Sequence, residues 1–568
     1  MSGVFGLLDP RGADPQGLEA AAGRAGFRGR PVLWADGPIA LGTYVRDGQD
    51  AGLHVTGDSV LVADSRIDAP APTGGSASEL HHLLRHTGTG GLATLAADFA
   101  LACWEPSRGE LTLARDAFGL RPLVWARRGS QVAFASDPEV VIALGSASGE
   151  LDPETICAYL AMRDFSGERT GFAGIHRLLG GRWRSFDVAG RSREGRWFRP
   201  EDIEQGETSS AEESAEALQE ALVAAAASRS RGRRTAVLLS GGRDSGAVAV
   251  ALARAGISAT CVTHTFREDL GCSEEEPAQH LAEEMGHRWI GLPAPMRITA
   301  ADLADLPPAA GTPLAFPAFP QARSLRDAVA ATGAEVVLDG EGGEPLFTAG
   351  PVAVLDLLRR GRLAAAARAA RGFHERWIYP YPVVAKAIAR ALMPRGVFAL
   401  RERIRGQPPW VAIRPLSRSN GPGRTSRREL IEALLAAGGS PFPELWQRMF
   451  ARAGVEYASP LLDTRVVRVA LSLPVELRVP TPTPKPLLSR AMLEGFEASR
   501  RKVAFTAYYD LLSASVRQDF PHLVASNGLA AGEGYVRSER LARVGETRWE
   551  LAALPLTAVE NWLRRAVA

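Results

Sequence analysis

Between the apolar run TAVLLS and the helix-like stretch GAVAVALARAG lies Ser240-Gly241-Gly242-Arg243-Asp244-Ser245. A short strand that turns through glycines straight into a helix is the unit of a parallel sheet covered by helices on both faces. The chemistry of the turn is equally restrictive. Gly241 and Gly242 let backbone N–H groups come close to an anion, and the helix N-terminus adds positive potential. The hydroxyls of Ser240 and Ser245 can donate to phosphate oxygens. Asp244 repels a bare phosphate, so its presence implies a bridging Mg²⁺. The G-x-x-x-x-G-K-S/T pattern is absent, so this is not a Walker loop.

The flanking sequence repeats the same unit. SATCVTHTF and HRWIGLP read as strands, EEEPAQHLAEEMG and residues 320–332 as helices, and EVVLDG as a further strand. The last strand runs into Asp339-Gly340-Glu341-Gly342-Gly343-Glu344. Parallel strands bring their carboxyl ends to one edge, so this acidic loop is expected to face the first. Glu344 would then complete a Mg²⁺ shell with Asp244, and Glu341 would act as a general base or hold one.

Upstream, residues 1–200 read as mostly β, with SVLVADSRI, GELTLARD, LVWARR and QVAFAS as strands and helices over 77–87 and 153–163. The polar, acidic stretch 200–214 reads as a linker into a helix over 211–228, which divides the chain into domains 1–205 and 206–568. After about residue 350 the chain reads as largely helical, with a helical insertion at about 350–450. Within it, segment 401–428 carries eight arginines against the single acid Glu402 and reads as a poorly packed loop.

Composition removes several classes. A chain that is 46% hydrophobic and 23% charged is an ordinary globular one, and a net charge of +2 supplies no field for nucleic acid or a membrane surface. No run of apolar residues is long enough to span a bilayer, and the start MSGVFGLLDPRGADP has no basic stretch ahead of an apolar one, so a cytoplasmic protein is expected. Cys103, Cys157, Cys261 and Cys272 have no CxxC spacing, which argues against a zinc site or a disulfide framework. Of 66 basic residues only Lys386, Lys485 and Lys502 are lysine. In so arginine-saturated a chain, a surviving lysine marks a place where a compact ammonium is needed and a planar guanidinium will not serve.

These motifs together resemble known families. Ser240 to Ser245 is similar to the SGGxDS pyrophosphate loop of ATP pyrophosphatases, which cleave ATP to AMP and pyrophosphate. DGEGGEPLF at 339–347 resembles the S-G-E-G-x-D-E-L-F loop of asparagine synthetases that carry an amidotransferase-like domain. SPLLDTRVVRVALSLP resembles their Pro-x-Leu-Asp segment with its following helix. KPLLSRAM, holding Lys485, and RRKVAF, holding Lys502, match positions where that family's lysines contact pyrophosphate or the reacting acyl group. In the first half, VADSRID and LAADFALACWEPSRGELTLARDAFGLRPL resemble the family's D-G-R-I-x-N and G-D-F-A segments.

The resemblance implies an α+β amidotransferase-like domain of the N-terminal-nucleophile (Ntn, αββα) type. An α/β ATP-pyrophosphatase domain, adenine nucleotide α-hydrolase-like with a parallel sheet and a helical C-terminal part, is implied to follow. It implies Lys502, Glu341 and Lys485 as catalytic residues. Ser240, Gly241, Gly242, Asp244, Ser245, Asp339 and Gly340 would contact ATP or pyrophosphate, and Asp244 and Glu344 would hold Mg²⁺. Glu344 stands where the family usually has aspartate, and Pro345 where it has glutamate. Ser2 stands where glutamine-hydrolysing members have their nucleophilic cysteine, and RIDAPAPTGG replaces the N-G-E segment that binds glutamine. The first domain is therefore expected to lack glutaminase activity.

Relatives without a working glutaminase include β-lactam synthetases, carbapenam synthetases and lasso peptide cyclases. All adenylate a carboxylate and let an amine of the same substrate attack it, so no ammonia is needed. The lasso cyclases match this chain in the arginine shortly before the Pro-rich stretch at Lys485 and in a helical tail beyond the second lysine. The resemblance to them implies a core peptide as substrate, with a leader peptidase and a leader-binding protein as partners. Small-molecule cyclisation and an asparagine synthetase-type amidotransferase are the alternatives within the family. An inactive nucleotide-binding scaffold and an RNA-modifying pyrophosphatase-loop enzyme lie outside it. Intact Asp244, Lys485 and Lys502 oppose the scaffold, and the lack of a basic RNA-binding domain or zinc site opposes the RNA enzyme.

Overall fold

The computed structural model describes residues 3–24, 30–45, 52–70, 75–162, 166–206, 210–306, 319–376, 381–404, 408–413, 425–479, 483–496, 505–542 and 550–567. In the first half two six-stranded sheets stack face to face. The alternation read from the sequence decides how. Val60, Val62, Ala100, Ala102, Leu111 and Leu113 point between the sheets. Leu61, Ala63, Phe99, Leu101 and Ala114, one residue out of phase, point to the outer face of the second sheet. Both faces are apolar because both are covered. Helix Ser76–Thr87 and helix Ala211–Ser230 lie on that outer face through Leu80, Leu218 and Leu222. Helices Pro15–Arg24 and Pro138–Ala143 cover the outer face of the first sheet. The layering is helix, sheet, sheet, helix, as the αββα reading requires.

The second half is built on a five-stranded parallel sheet. Its spatial order is Arg288–Pro293, Thr260–Thr265, Thr235–Leu238, Val336–Leu338 and Glu456–Ala458. The first four follow the sequence reading. The fifth does not: Glu456-Tyr457-Ala458 is three residues long, follows a helix, and becomes a strand only by pairing with Val336–Leu338.

The insertion at 350–450 needs correction. Helices Val352–Arg359, Leu363–Arg376, Tyr381–Leu392 and Arg395–Ile404 form a lobe. Ser426–Ala437 and Pro441–Arg452 belong to the domain core instead, burying Leu430, Leu434, Met449 and Phe450. The poorly packed loop is corrected likewise. Residues 401–404 end a helix, Ser426 to Arg428 begin one, and Trp410 and Val411 are buried. The parts of that loop at 405–407 and 414–424 lie outside the described residues, as does Ser2. Among the described residues, no helix is long and apolar enough to cross a membrane.

Arginines bind the two halves. Glu444 is fully buried and accepts from Arg115 Nη2 at 2.9 Å and from Arg177 Nε at 2.7 Å. Arg115 also donates to the carbonyls of Arg121, Leu178 and Gly119, while Asp116 accepts the N–H groups of Phe118, Leu120 and Arg121. The Arg-Asp pair of LARDAFGLRPL is thus a loop organiser. Glu456 receives Arg66, Arg121 and Arg233, which together hold its carboxyl well below the usual range despite its desolvation. Arg229 joins Asp68 and Asp98 of the first half to Asp463 of the second.

Candidate active site

Three neighbouring strands end at one edge of the parallel sheet, and their following loops meet there. Thr235–Leu238 leads into the glycine turn, Val336–Leu338 into the acidic loop, and Glu456–Ala458 into Ser459. Gly241 has φ +75°, and a Cβ there would stand 2.6 Å from the Glu274 carbonyl oxygen, so only glycine fits. Helix Arg243–Arg254 starts directly after Gly242. Ser240 N–H donates to Ser245 Oγ at 3.1 Å, and the two hydroxyls are also 3.1 Å apart.

The acidic loop is pressed onto this turn. A Cβ on Gly340 would lie 2.5 Å from the Ser245 nitrogen, and one on Gly343 would lie 2.3 Å from Asp244 Cγ. These glycines are therefore what allow the two loops to nest. Asp339 is fixed by Tyr457 Oη at 2.5 Å and Ser459 Oγ at 2.8 Å. Burial raises its carboxyl, and the two hydroxyl bonds work against that rise. Asp339 thus organises the loop from behind. Pro345, the departure from the family pattern, lies in the first turn of helix Gly343–Phe347, where a missing N–H costs nothing.

Lys485 joins both loops. Its Nζ lies 2.5 Å from Asp244 Oδ2 and 3.0 Å from Glu344 Oε2. The ammonium is nearly buried, at 7% exposure, while the Glu344 side chain is 50% exposed and faces outward. Lys485 sits at φ +49°, in the left-handed region, immediately before helix Pro486–Met492. A non-glycine residue held there costs of order 1–3 kcal/mol and persists only where its surroundings fix it. The fixing group is Arg243, the variable position of the glycine turn. Its Nε donates to the Pro484 carbonyl at 3.1 Å and to Ser489 Oγ at 3.0 Å. Nothing in the sequence separates this arginine from the many others, and its role emerges only when the two segments meet.

Glu341 is exposed on the surface of the acidic loop, with neighbouring protein partly desolvating its carboxyl. That desolvation, with the Asp339 and Asp244 carboxylates acting on it, pushes its carboxyl up to about 7. The arginine before the Pro-rich stretch is Arg478. It is buried and donates to the carbonyls of Leu346 and Pro345, which ties down the far end of the acidic loop. The SPLLD segment is structural: Leu462 packs against Gly342, and Asp463 caps helix Thr464–Ser472 while receiving Arg229. Lys502 lies outside the described residues.

The donor set suits Mg²⁺. Two carboxylates, Asp244 and Glu344, converge on one cation, here the Lys485 ammonium. Among the described residues no group of three or more His, Cys, Asp or Glu forms a metal cage. Two carboxylates with phosphate oxygens completing the shell is the usual way this ion is held.

The profile of the asparagine synthase family matches residues 217–564, more than half of the chain. This chain belongs to the asparagine synthase family. A glutamine amidotransferase domain profile matches residues 73–198. A Mycobacterium tuberculosis protein, provisionally named asparagine synthetase (glutamine-hydrolyzing), is 30% identical over 280 residues, covering 46% of this chain and 41% of that protein. The amidase chyE of Penicillium rubens is 27% identical over 299 residues, covering 49% of this chain and 43% of that protein. The chain thus matches less than half the length of these relatives. A solved chain described as the allosteric regulatory enzyme of purine biosynthesis matches at 13% identity and a TM-score of 0.27, covering 52% of this chain and 82% of that one.

Proposed function

We propose that this asparagine synthase-family protein is an AMP- and pyrophosphate-forming C–N ligase that closes a macrolactam ring in a ribosomal lasso peptide. One observation carries the ligase reading: Asp244, Glu344 and Lys485 converge beside the glycine turn at the carboxyl edge of a parallel sheet. Ser240, Gly241, Gly242 and Ser245 would take the pyrophosphate part of ATP, with Asp339 and Gly340 shaping the wall opposite. Asp244 and Glu344 would hold Mg²⁺, which when bound neutralises phosphate charge. An Asp or Glu side-chain carboxylate of the leaderless core peptide attacks the α-phosphate and pyrophosphate departs. The peptide's N-terminal amine then attacks the acyl carbon and AMP leaves. Lys485 would follow phosphate charge out of the turn, and the family resemblance assigns Lys502 to charge on the acyl oxygen. Glu341, titrating near 7, can take a proton from the amine.

The peptide substrate is supported by Ser2 in place of the amidotransferase cysteine, by Arg478, and by the helical lobe beside the acidic loop. A leader peptidase and a leader-binding protein are the partners this reading requires, and ATP with Mg²⁺ the cofactors. The test incubates the chain with ATP, Mg²⁺ and a leaderless core peptide from the neighbouring genes. AMP with pyrophosphate, and a peptide lighter by one water, are expected. ADP would end the pyrophosphatase reading, and glutamate release from glutamine that Ser2→Ala abolishes would turn it into an amidotransferase. An AMP-forming reaction on a small amino acid but on no peptide would leave small-molecule cyclisation.

A further inference from the structure

The helical lobe is charged unlike the rest of the chain. Residues 352–404 carry ten arginines and one lysine against three acids, Asp356, Glu375 and Glu402, a local charge of +8 in a chain whose total is +2. One of those acids, Asp356, is buried and engaged by the Ser426 N–H and hydroxyl. The overall charge therefore hides a strongly basic lobe on an acidic remainder. The lobe is also where apolar side chains come out. Among the described residues, half of the large apolar side chains that stand well exposed are here: Leu358, Leu363, Leu392, Val397 and Leu400. A single surface leucine needs no explanation, but five gathered in one short basic segment do.

Their placement follows the turns. Leu358 and Leu363 bracket the turn between helices Val352–Arg359 and Leu363–Arg376, with Arg359, Arg360 and Arg362 between them. Every residue from Leu358 to Ala364 is exposed. Leu392 and Val397 bracket the turn between helices Tyr381–Leu392 and Arg395–Ile404. Short connections make consecutive helices antiparallel, so the first and third helices run the same way and both turns come to one end of the lobe. Val352 and Leu355 of the first helix share an apolar cluster with Ile388 and Ala391 of the third, which sets these two helices side by side. That end of the lobe thus presents four projecting apolar side chains, from 44% exposed at Leu358 to 67% at Leu363, next to arginines.

We propose that this end of the lobe docks on an anionic lipid surface, with the two apolar tips entering the acyl layer and the arginines meeting its phosphates. The charge selects an anionic partner, and the form of the tips selects a lipid one. Side chains that project from turns give a folded partner little to enclose, whereas a lipid layer takes them whatever their shape. Arginine beside them buries its stem along the apolar layer and keeps its head at the phosphates. Arg362 already pairs with Glu476 at 3.0 Å, but an exposed pair of this kind is weak against a charged surface. This docking goes beyond the ligase reading and does not depend on it.

The test is co-sedimentation of the full chain with lipid vesicles. Pure phosphatidylcholine vesicles should leave it in solution. Vesicles with about one third phosphatidylglycerol should carry it down, and about 0.5 M salt should release most of it. The combined variant Leu358→Ser, Leu363→Ser, Leu392→Ser and Val397→Ser should bind at least about tenfold more weakly, since binding scales with the apolar area inserted. These side chains are exposed already, so a thermal melt should show the variant folded. Insertion is read separately. All four cysteines are buried, so Leu363→Cys directs an environment-sensitive dye to the tip. Its emission should shift to the blue on anionic vesicles, while the same dye at Val188→Cys, an exposed position of the first half, should not shift. No co-sedimentation with anionic vesicles, a serine variant that binds like wild type, or equal dye shifts at the two positions would overturn the proposal. Binding to polyglutamate without binding to vesicles would overturn it too, and would make the lobe a dock for an acidic protein.

Discussion

Two regions of this molecule concentrate cations, and they do so with different residues. Where the halves meet, the cations are arginines: Arg115 and Arg177 on Glu444, Arg66, Arg121 and Arg233 on Glu456, and Arg229 on three aspartates. At the sheet edge the cation between two carboxylates is Lys485. Every arginine in the first group faces several fixed acceptors in different directions; Arg115 alone serves three carbonyls and a carboxylate. A planar fork of donors suits acceptors that never move. Lys485 faces two carboxylates that are expected to exchange it for a metal and phosphates during turnover, and a point charge on a flexible stem can follow them.

Breaking the rigid set should have the largest effect. Removing one member of a buried pair leaves uncompensated charge, which costs about 3–5 kcal/mol. Glu444→Ala strands both Arg115 and Arg177, so a large drop in unfolding free energy is expected in a denaturant titration. A variant as stable as wild type would show that the interface arginines are not what binds the halves.

Next is the flexible cation. Lys485→Arg should lower turnover by about 10²–10³, the cost of one misplaced stabilising charge, while the thermal melt stays within a few degrees of wild type. The longer planar head cannot stand between Asp244 and Glu344 without separating the loops. Near-normal ATP turnover would mean that any cation serves there. The same substitution at Lys502 asks whether the other lysine on a family site position shares this property.

A smaller effect is expected from Arg243→Leu. It removes the donor that fixes Pro484 and so releases the strained backbone of Lys485. We expect about a tenfold fall in kcat at unchanged stability, on the scale of one hydrogen bond to a charged group. Lys485 would remain present but poorly placed. A change in KM alone would assign Arg243 to binding instead.

The same contrast separates what the sequence revealed from what it hid. The glycine turn and acidic loop were legible because a backbone packed that closely admits only glycine, and Gly241, Gly340 and Gly343 each satisfy a separate steric demand. Lysine scarcity singled out Lys485. Arginine abundance hid Arg243 and the interface in equal measure, since arginine is everywhere in this chain and composition could not rank it. The strand Glu456–Ala458 was hidden for another reason: three residues show no periodicity, and only pairing with Val336–Leu338 makes them a strand.

The smallest expected effect on stability concerns Glu341, which belongs to neither cation set but feels the carboxylates of one. Its carboxyl is raised to about 7, from the ordinary value near 4.5. Below the ordinary value it is protonated in folded and unfolded chains alike. Between there and 7 the folded chain binds more protons than the unfolded one, so stability falls as pH rises across that window and levels off above it. Glu341→Gln removes this slope. Because the group is partly solvent-screened, the variant should gain no more than about 1 kcal/mol over wild type above neutrality and nothing at pH 4. These melts are run without nucleotide. Turnover should move the opposite way: wild type rises through pH 7 as the carboxylate becomes able to accept a proton, whereas Glu341→Gln stays low and flat. If the variant followed the wild-type pH profile for both stability and turnover, Glu341 would be an ordinary exposed acid and not the base.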